Sequence, residues 1–254
     1  MEVHHHPDMH HKPKKWKEYF LEFLMIFLAV TMGFLAENLR EHIKDKSEIQ
    51  HDMQSMAGDL ISDVKMYNST LSANQITDNK IDSLITLLKM NRANTSEIYF
   101  LARYITANNQ NYSPSSKTFD QMKSSGALKL IEPRRLLDSI SDYYQSLQYF
   151  PGVNSLQNQK LTDIHLVNSQ LFDGYIFQKM LQFVPTKSGF VKGEIKKPEA
   201  NPPLLSDNLI VINSVITAYH YLYSVTEVNN TAAIVRAEKA KRLINLLNNE
   251  FGLK

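Results

Sequence analysis

The chain has 254 residues, no cysteine, and 28 basic against 26 acidic residues, which gives a net charge of +2 with histidine neutral. The missing cysteine excludes disulfides, thiol catalysis, iron–sulfur clusters and cysteine-based zinc sites, and because no long basic stripe is present we expect no nucleic-acid partner. The length suits a membrane anchor with one sizeable domain or two small ones, and eight glycines with few alternating β-branched runs predict an all-α fold.

Residues 1–18 form a predicted cytoplasmic tail rich in histidine and lysine. A histidine-rich tract can bind Ni²⁺, Cu²⁺ or Zn²⁺, although a disordered one binds weakly and without selectivity. The tract also resembles an irregular remnant of an expression tag. We therefore assign no metal site and no cofactor, and the weak metal candidates are His4, His5, His6, His10 and His11.

A run of 17 mostly apolar residues follows, from Phe20 to Ala36, with Glu22 as its one charge. At ~1.5 Å per residue it spans roughly 26 Å, against roughly 30 Å for the hydrocarbon core of a bilayer. No later stretch approaches it, so we predict a transmembrane anchor over residues 19–37. A cleaved signal peptide is the main alternative, but the run is too long and Phe34 stands where a cleavage site needs a small residue. A buried core helix would show a polar side.

Flanking residues predict the orientation of the span. Four lysines precede it within the short tail, three basic residues follow it, and Trp16 and Tyr19 lie where an aromatic belt is expected. This favours a cytoplasmic N-terminus. The prediction is a single-pass protein, with residues 38–254 forming a helical extracytoplasmic domain.

One face of the span carries small residues at helical spacing. Ala29-x-x-x-Gly33 is a small-xxx-small pattern, which lets two helix backbones approach closely. A carboxyl on the same stripe would face a partner helix rather than lipid, and this predicts a homo-oligomer or a protein partner. Alternatively, Glu22 reaches back to the headgroups and pairs with the preceding lysines. The predicted interface residues are Glu22, Ile26, Ala29, Gly33 and Ala36.

The helix is predicted to continue beyond the span, with a further helical pattern from 76 to 90. Its apolar residues recur at steps of three and four: Ile49, Met53, Met56, Leu60, Val64, Tyr67 and Leu71. We expect this stripe to pack on the helical domain, with a coiled-coil stalk as the alternative. A break at 91–95 precedes a helix that Ser96 is expected to cap, and residues 108–116 are predicted to form a loop.

Five further segments complete the predicted fold. Residues 117–125 form a short helix ended by Gly126, and Pro133 opens a helix that runs to a Pro151-Gly152 turn. Helix is predicted again over 154–183. Residues 185–205 are irregular, with a small hairpin at 189–193, and are long enough to cover a groove or join a partner. Ser206 or Asp207 is expected to cap the last helix.

The last helix is predicted to run to about Glu250 and to pair with the first in an antiparallel bundle. Its buried face is expected to contain Ile212, Ile216, Tyr219, Tyr223 and Val235.

The stretch from Thr118 to Ile131, followed by Leu136 to Tyr144, has the pattern S-G-x-L-x-L-I … L-x-x-x-I-x-x-Y-Y. It resembles a family of single-span bacterial proteins, mainly from Bacteroidota, described only as a domain of unknown function. The basic residues before the span, Glu22 and the Glu37-Asn38 exit match that family's layout, whereas the histidine-rich tail departs from it. The resemblance implies a single-pass protein of the bacterial inner membrane, with the helical domain in the periplasm, but it implies no activity. We expect Leu128, Leu130 and Ile131 to be buried at this corner, with a structural role or, alternatively, a ligand site.

No sequence motif carries recognisable chemistry. The chain lacks a phosphate-binding glycine loop, a G-x-S-x-G elbow and an H-E-x-x-H pair, and its remaining histidines have no ligand spacing. We therefore expect a non-enzymatic protein. The first hypothesis is a membrane-anchored interaction or scaffold module. The alternative is an extracytoplasmic small-ligand sensor, which would need a membrane partner because an 18-residue tail has no room for a signalling domain.

Overall fold

The computed structural model describes residues 15–187 and 189–253, and this part of the chain is mainly helical, as predicted. By their internal contacts the residues divide into two units, Met1–His51 and Asp52–Lys254. The five candidate histidines, His4, His5, His6, His10 and His11, lie outside the described residues. The elements in chain order are α1 (Trp16–Met90), α2 (Thr95–Asn108), α3 (Lys117–Ser125), a 3₁₀ turn (Ala127–Leu130), α4 (Arg134–Leu147), α5 (Tyr149–Leu171), α6 (Gly174–Met180), β1 (Leu181–Thr186), β2 (Gly189–Ile195) and α7 (Leu209–Phe251).

The first unit is helical throughout its described residues from Trp16 onward. Every residue from Phe20 to Ala36 is exposed except Thr31, which is half-buried. The hydroxyl of Thr31 donates to the Phe27 carbonyl at 2.8 Å, so this polar group is satisfied inside the helix. Satisfied backbone and side-chain donors are what a hydrocarbon environment requires of a helix.

Two helices are long and apolar enough to cross a membrane. The first is α1, near the N-terminus, whose most apolar 18-residue stretch is 0% buried; the second is α7, with 28% of the corresponding stretch buried. The expectation that no later stretch approaches the first run is therefore wrong. Helix α7 is apolar because it contributes a row of buried side chains to the core of the second unit, including Ile212, Val215 and Leu222.

The second unit contains a large hydrophobic cluster. It draws on α1, α2, α5, α6 and α7, with members such as Leu84, Ile98, Ile164, Met180, Val215 and Tyr219. The predicted apolar stripe of α1 is buried at Ile49, Met53, Met56, Leu60 and Tyr67, and half-buried at Val64 and Leu71. Helix α7 packs against α5 and α4, and its Asn230 also bonds Asn74 of α1. The antiparallel pairing of the first and last helices stays a prediction.

Several predicted helix boundaries differ from the structure. Asn94 rather than Ser96 caps α2, its Oδ1 accepting from Glu97 N, and Asn208 rather than Ser206 or Asp207 caps α7. Asparagine supplies the same acceptor as serine or aspartate, so composition alone does not choose between neighbouring caps. Val235 is 50% exposed and does not belong to the buried face of α7.

The chain between α4 and β1 also departs from the prediction. Pro151 and Gly152 lie inside the first turn of α5 rather than in a turn, because proline lacks only an N–H that would be unpaired there. Helix does not extend to 183: α5 ends at Leu171, and Asp173 caps the short α6 by accepting from Tyr175 N.

Strands β1 and β2 form a two-stranded antiparallel ribbon, hereafter the ribbon. It is longer than the hairpin predicted at 189–193, since the pairing extends from Leu181↔Ile195 to Thr186↔Gly189. A register shift between Leu181 and Phe183 marks a bulge, and there a Cβ on Gly193 would lie 2.8 Å from the Gln182 carbonyl oxygen. Only glycine permits that approach.

Candidate functional site

The corner that carries the family-like pattern is a packed elbow formed by α3, the 3₁₀ turn and α4. Gly126 ends α3 with φ 81, as predicted. The rings of Phe119 and Tyr144 stack with centroids 4.4 Å apart, and Tyr143 meets Tyr144 edge-on at 5.1 Å. The expectation that Leu130 is buried is wrong, since it is 45% exposed and the tight 3₁₀ turn points it outward, while Ile131 is 4% exposed.

Two carboxylates of α1 fasten this elbow. Asp59 Oδ2 accepts from the Thr118 hydroxyl at 2.6 Å and from the Thr118 backbone N–H at 3.2 Å. Asp63 Oδ1 accepts from Ser115 N at 2.8 Å, and its Oδ2 accepts from the Tyr143 hydroxyl at 2.8 Å. Burial raises the pKa of Asp63, and the bonds from Ser115 and Tyr143 oppose that rise. Neither aspartate was predicted as a site residue from the sequence, where their one signal is a four-residue spacing beside the apolar stripe.

A cleft of about 350 Å³ opens beside the elbow, hereafter the elbow cleft. Its walls combine aromatic rings with a few polar groups, which is the usual composition of a small-molecule site. The Tyr144 hydroxyl is buried and has no hydrogen-bond partner among the described residues. The lining residues are Tyr112, Ser113, Pro114, Ser116, Phe119, Asp120, Lys123, Tyr144, Leu147, Gln148, Phe150, Pro151 and Asn154.

A second polar group lies deeper, around the side-chain amide of Asn230, and is called here the Asn230 cluster: Asn74, Asp78, Tyr112, Glu227 and Asn230. Asn230 Oδ1 accepts from Asn74 Nδ2 and from the Tyr112 hydroxyl, both at 2.8 Å. Two donors at the oxygen fix the orientation of the amide. Its Nδ2 therefore faces two carboxylates, Glu227 Oε1 at 3.3 Å and Asp78 Oδ2 at 3.5 Å.

Asp78 is the most perturbed carboxyl of this cluster. It is 4% exposed, and within the described part of the chain its Oδ1 has no hydrogen-bond partner. Burial raises the pKa of Asp78 to about 7, with further increases from the carboxylates of Glu227 and Asp82; the Asn230 bond opposes them. Asp78 therefore binds a proton near neutral pH, which an exposed aspartate does not.

The described residues contain no group of three or more histidine, cysteine, aspartate or glutamate side chains placed to hold a metal ion. All four histidines outside the tail are exposed: His42, His51, His165 and His220. Arg134 is solvent-facing, and Arg135 pairs with Glu250.

The predicted interface stripe of the span is exposed along its whole length. This holds for Glu22, Ile26, Ala29, Gly33 and Ala36. A Cβ added to Gly33 would meet no atom within 4 Å. The stripe is therefore sterically open to a second helix, and its use as an interface remains a prediction.

Comparisons with known protein families, with curated proteins and with solved structures found no match to this chain.

Proposed function

We propose that this protein is a membrane-anchored, non-enzymatic interaction or scaffold module. The observation that carries the proposal is the exposure of every residue but Thr31 in the apolar run from Phe20 to Ala36 within α1. Exposing that many large apolar side chains to water is unfavourable, and a bilayer removes the cost. The same helix supplies the apolar stripe of the second unit, so one element serves both as anchor and as part of the core.

The proposed topology is a single-pass protein of the bacterial inner membrane with a cytoplasmic tail and a periplasmic antiparallel helical bundle. The lysines before the span and the aromatic residues Trp16 and Tyr19 support it. The other apolar helix, α7, is assigned to the bundle because its buried face lies in the hydrophobic core. The elbow pattern and the basic N-terminus also support membership of the uncharacterised Bacteroidota family.

The proposed partner contact is the small-residue stripe, which would bind a second copy or another membrane protein. Ala29→Leu with Gly33→Leu should weaken association, because the added side chains hold two backbones apart. Phe27→Leu with Thr31→Leu is the matched control, since these residues lie on the opposite side of the helix. Association is measured by crosslinking in intact native membranes with mass spectrometry. Equal crosslink yields for the two double variants would leave the span as an anchor only.

The same crosslinking experiment tests the scaffold proposal itself. An envelope protein captured reproducibly, and lost on changing the stripe or the surface of the second unit, supports it. Recovery of the uncrosslinked monomer alone, from membranes in which the protein is abundant, contradicts it.

A small-ligand sensor is the second candidate, and the elbow cleft is the observation that favours it. Aromatic walls with a few polar groups suit a small amphipathic molecule. A thermal-shift screen of the full chain in detergent, using amino acids, nucleosides and sugars, tests this candidate. A stabilising compound should lose its effect in Phe119→Ala and keep it in Leu166→Ala, a change outside the cleft.

A further inference from the structure

The ribbon exposes apolar side chains on both of its faces. Pairing of Phe183 with Lys192 and of Pro185 with Phe190 places these four residues on one face, and Val184 with Val191 on the other. Phe183 is 63% exposed and Phe190 74%, while the two valines are 49% and 51% exposed. An isolated two-stranded ribbon is marginal in water, so these faces call for an apolar environment that the described residues do not supply.

The base of the ribbon is firmly attached, which makes its tip a protruding element rather than a loose loop. Leu181 is 8% exposed, and Lys196 N donates to the Met180 carbonyl at 2.8 Å. Lys192 Nζ donates to the Ala107 carbonyl at 2.9 Å and to Asn108 Oδ1 at 2.6 Å, fixing β2 to the end of α2. The apolar residues beyond this attachment are held away from the core.

The charge around the ribbon is net positive. Residues 179–199 contain five lysines against two glutamates, in a chain whose overall charge is nearly balanced. One of these lysines, Lys197, pairs with Glu97 of α2 at 2.5 Å, and the charge that remains is still positive. Lys187 at the turn and Lys196 at the base are exposed, and Lys179 lies 4.1 Å from the centre of the Tyr175 ring. The occupant of this surface should therefore be anionic as well as apolar.

We propose that the ribbon docks on the surface of an anionic lipid bilayer, with its tip in the interfacial region and its lysines at the headgroups. A protein partner would cover one face of the ribbon. A bilayer interface surrounds an inserted ribbon and accommodates apolar residues on both of its faces. Addition of a partner strand is disfavoured, because Pro185 lacks an N–H and the lysines protect the strand edges. Basic residues near an anionic surface strengthen such binding.

The test uses the full chain in nanodiscs of zwitterionic lipid, so that the N-terminal anchor is already occupied. Sedimentation with sucrose-loaded vesicles then measures the second contact. We expect binding to vesicles of phosphatidylcholine with phosphatidylglycerol and weaker binding to phosphatidylcholine alone. Phe183→Ser with Phe190→Ser should weaken binding at least tenfold. Leu166→Ser with Val228→Ser removes apolar residues of comparable exposure elsewhere, 65% and 56%, and should leave vesicle binding unchanged.

Two further measurements test the charge and the depth of the lipid contact. Lys187→Gln with Lys196→Gln keeps the apolar faces and should weaken binding to anionic vesicles by about fivefold for each lysine. Because the chain has no cysteine, Val191→Cys can be labelled specifically with an environment-sensitive dye, whose emission should shift to the blue on vesicle addition. The phenylalanine double variant should have the same melting temperature as the wild-type protein, because its core is unchanged.

Three outcomes would overturn the proposal. One is equal vesicle binding by the phenylalanine double variant and the wild-type protein. Another is unchanged dye emission at position 191 in the presence of anionic vesicles. The third is a photocrosslink from position 190 to a protein in native membranes without any vesicle binding, which would make the occupant a protein.

Discussion

Replacing Asp78 by asparagine should stabilise the second unit at neutral pH and have no such effect near pH 4. Asp78 is 4% exposed and faces the carboxyl of Glu227 and the amide of Asn230. Ionising it places a charge in a poorly solvated position beside another carboxylate. Asparagine has nearly the same shape, never ionises, and can still accept from Asn230 Nδ2 while offering a donor to Glu227.

The sign and size follow from the pKa. Burial raises the pKa of Asp78 from 3.8 to about 7, so the folded state binds this proton more tightly than the unfolded state. The stability associated with protonated Asp78 is fully present below pH 3.8 and is lost as pH rises towards 7. At about 1.4 kcal/mol for each unit, the loss in free energy of unfolding is at most about 4 kcal/mol. The Asp78→Asn variant escapes this loss, so its advantage should grow between pH 4 and 7 and then level off.

The assay is urea unfolding of the full chain in detergent, followed by circular dichroism at 222 nm at pH 4, 5, 6, 7 and 8. Glu227→Gln should reduce the same pH dependence, because the neighbouring carboxylate contributes to the raised pKa of Asp78. Asp138→Asn changes an exposed aspartate and should alter the free energy of unfolding by no more than about 0.5 kcal/mol. A difference between Asp78→Asn and wild type that is flat with pH, or a less stable variant at pH 8, would refute the reasoning.

Three substitutions test other parts of the second unit. Tyr143→Phe removes the hydroxyl that donates to buried Asp63 at 2.8 Å. It should lower the free energy of unfolding in urea by about 1–3 kcal/mol. An unchanged midpoint would show that water replaces the hydroxyl. Gly126→Ala places a side chain at φ 81 with open space around it. The free energy of unfolding should therefore fall by a purely conformational cost of about 1 kcal/mol in the same assay. A larger decrease would indicate a steric clash. Gly193→Ala brings a Cβ to 2.8 Å from the Gln182 carbonyl oxygen. It should accelerate amide hydrogen exchange across β1 and β2 without shifting the main unfolding transition. Unchanged exchange would contradict the bulge geometry.

Periodicity predicted the long helices because their signal is local and repeated many times. The stripe from Ile49 to Leu71 is largely buried, and Gly126 ends α3 as its position after a short polar helix indicated. Boundaries were less predictable, because several neighbouring residues can serve as caps: Asn94 caps α2 in place of Ser96, and Asn208 caps α7 in place of Ser206. The predicted ribbon was too short because its first strand, Leu181–Thr186, continues directly from a helix and contains a proline.

The polar clusters lay beyond sequence reasoning for a different reason. Asn74 and Asn230 are 156 residues apart, and neither has a neighbour in sequence that marks it as buried. The sequence does not distinguish a buried polar residue from an exposed one on the same helix until the facing helix is known. An unpaired polar group in the interior is unfavourable, so buried polar residues have hydrogen-bond partners across the fold. Asp63 with Tyr143, and Asn230 with Asp78, are such matches. The first match joins α1 to α4, and the second joins α1 directly to α7. These directional bonds fix the position of one helix along another, which apolar packing alone does not.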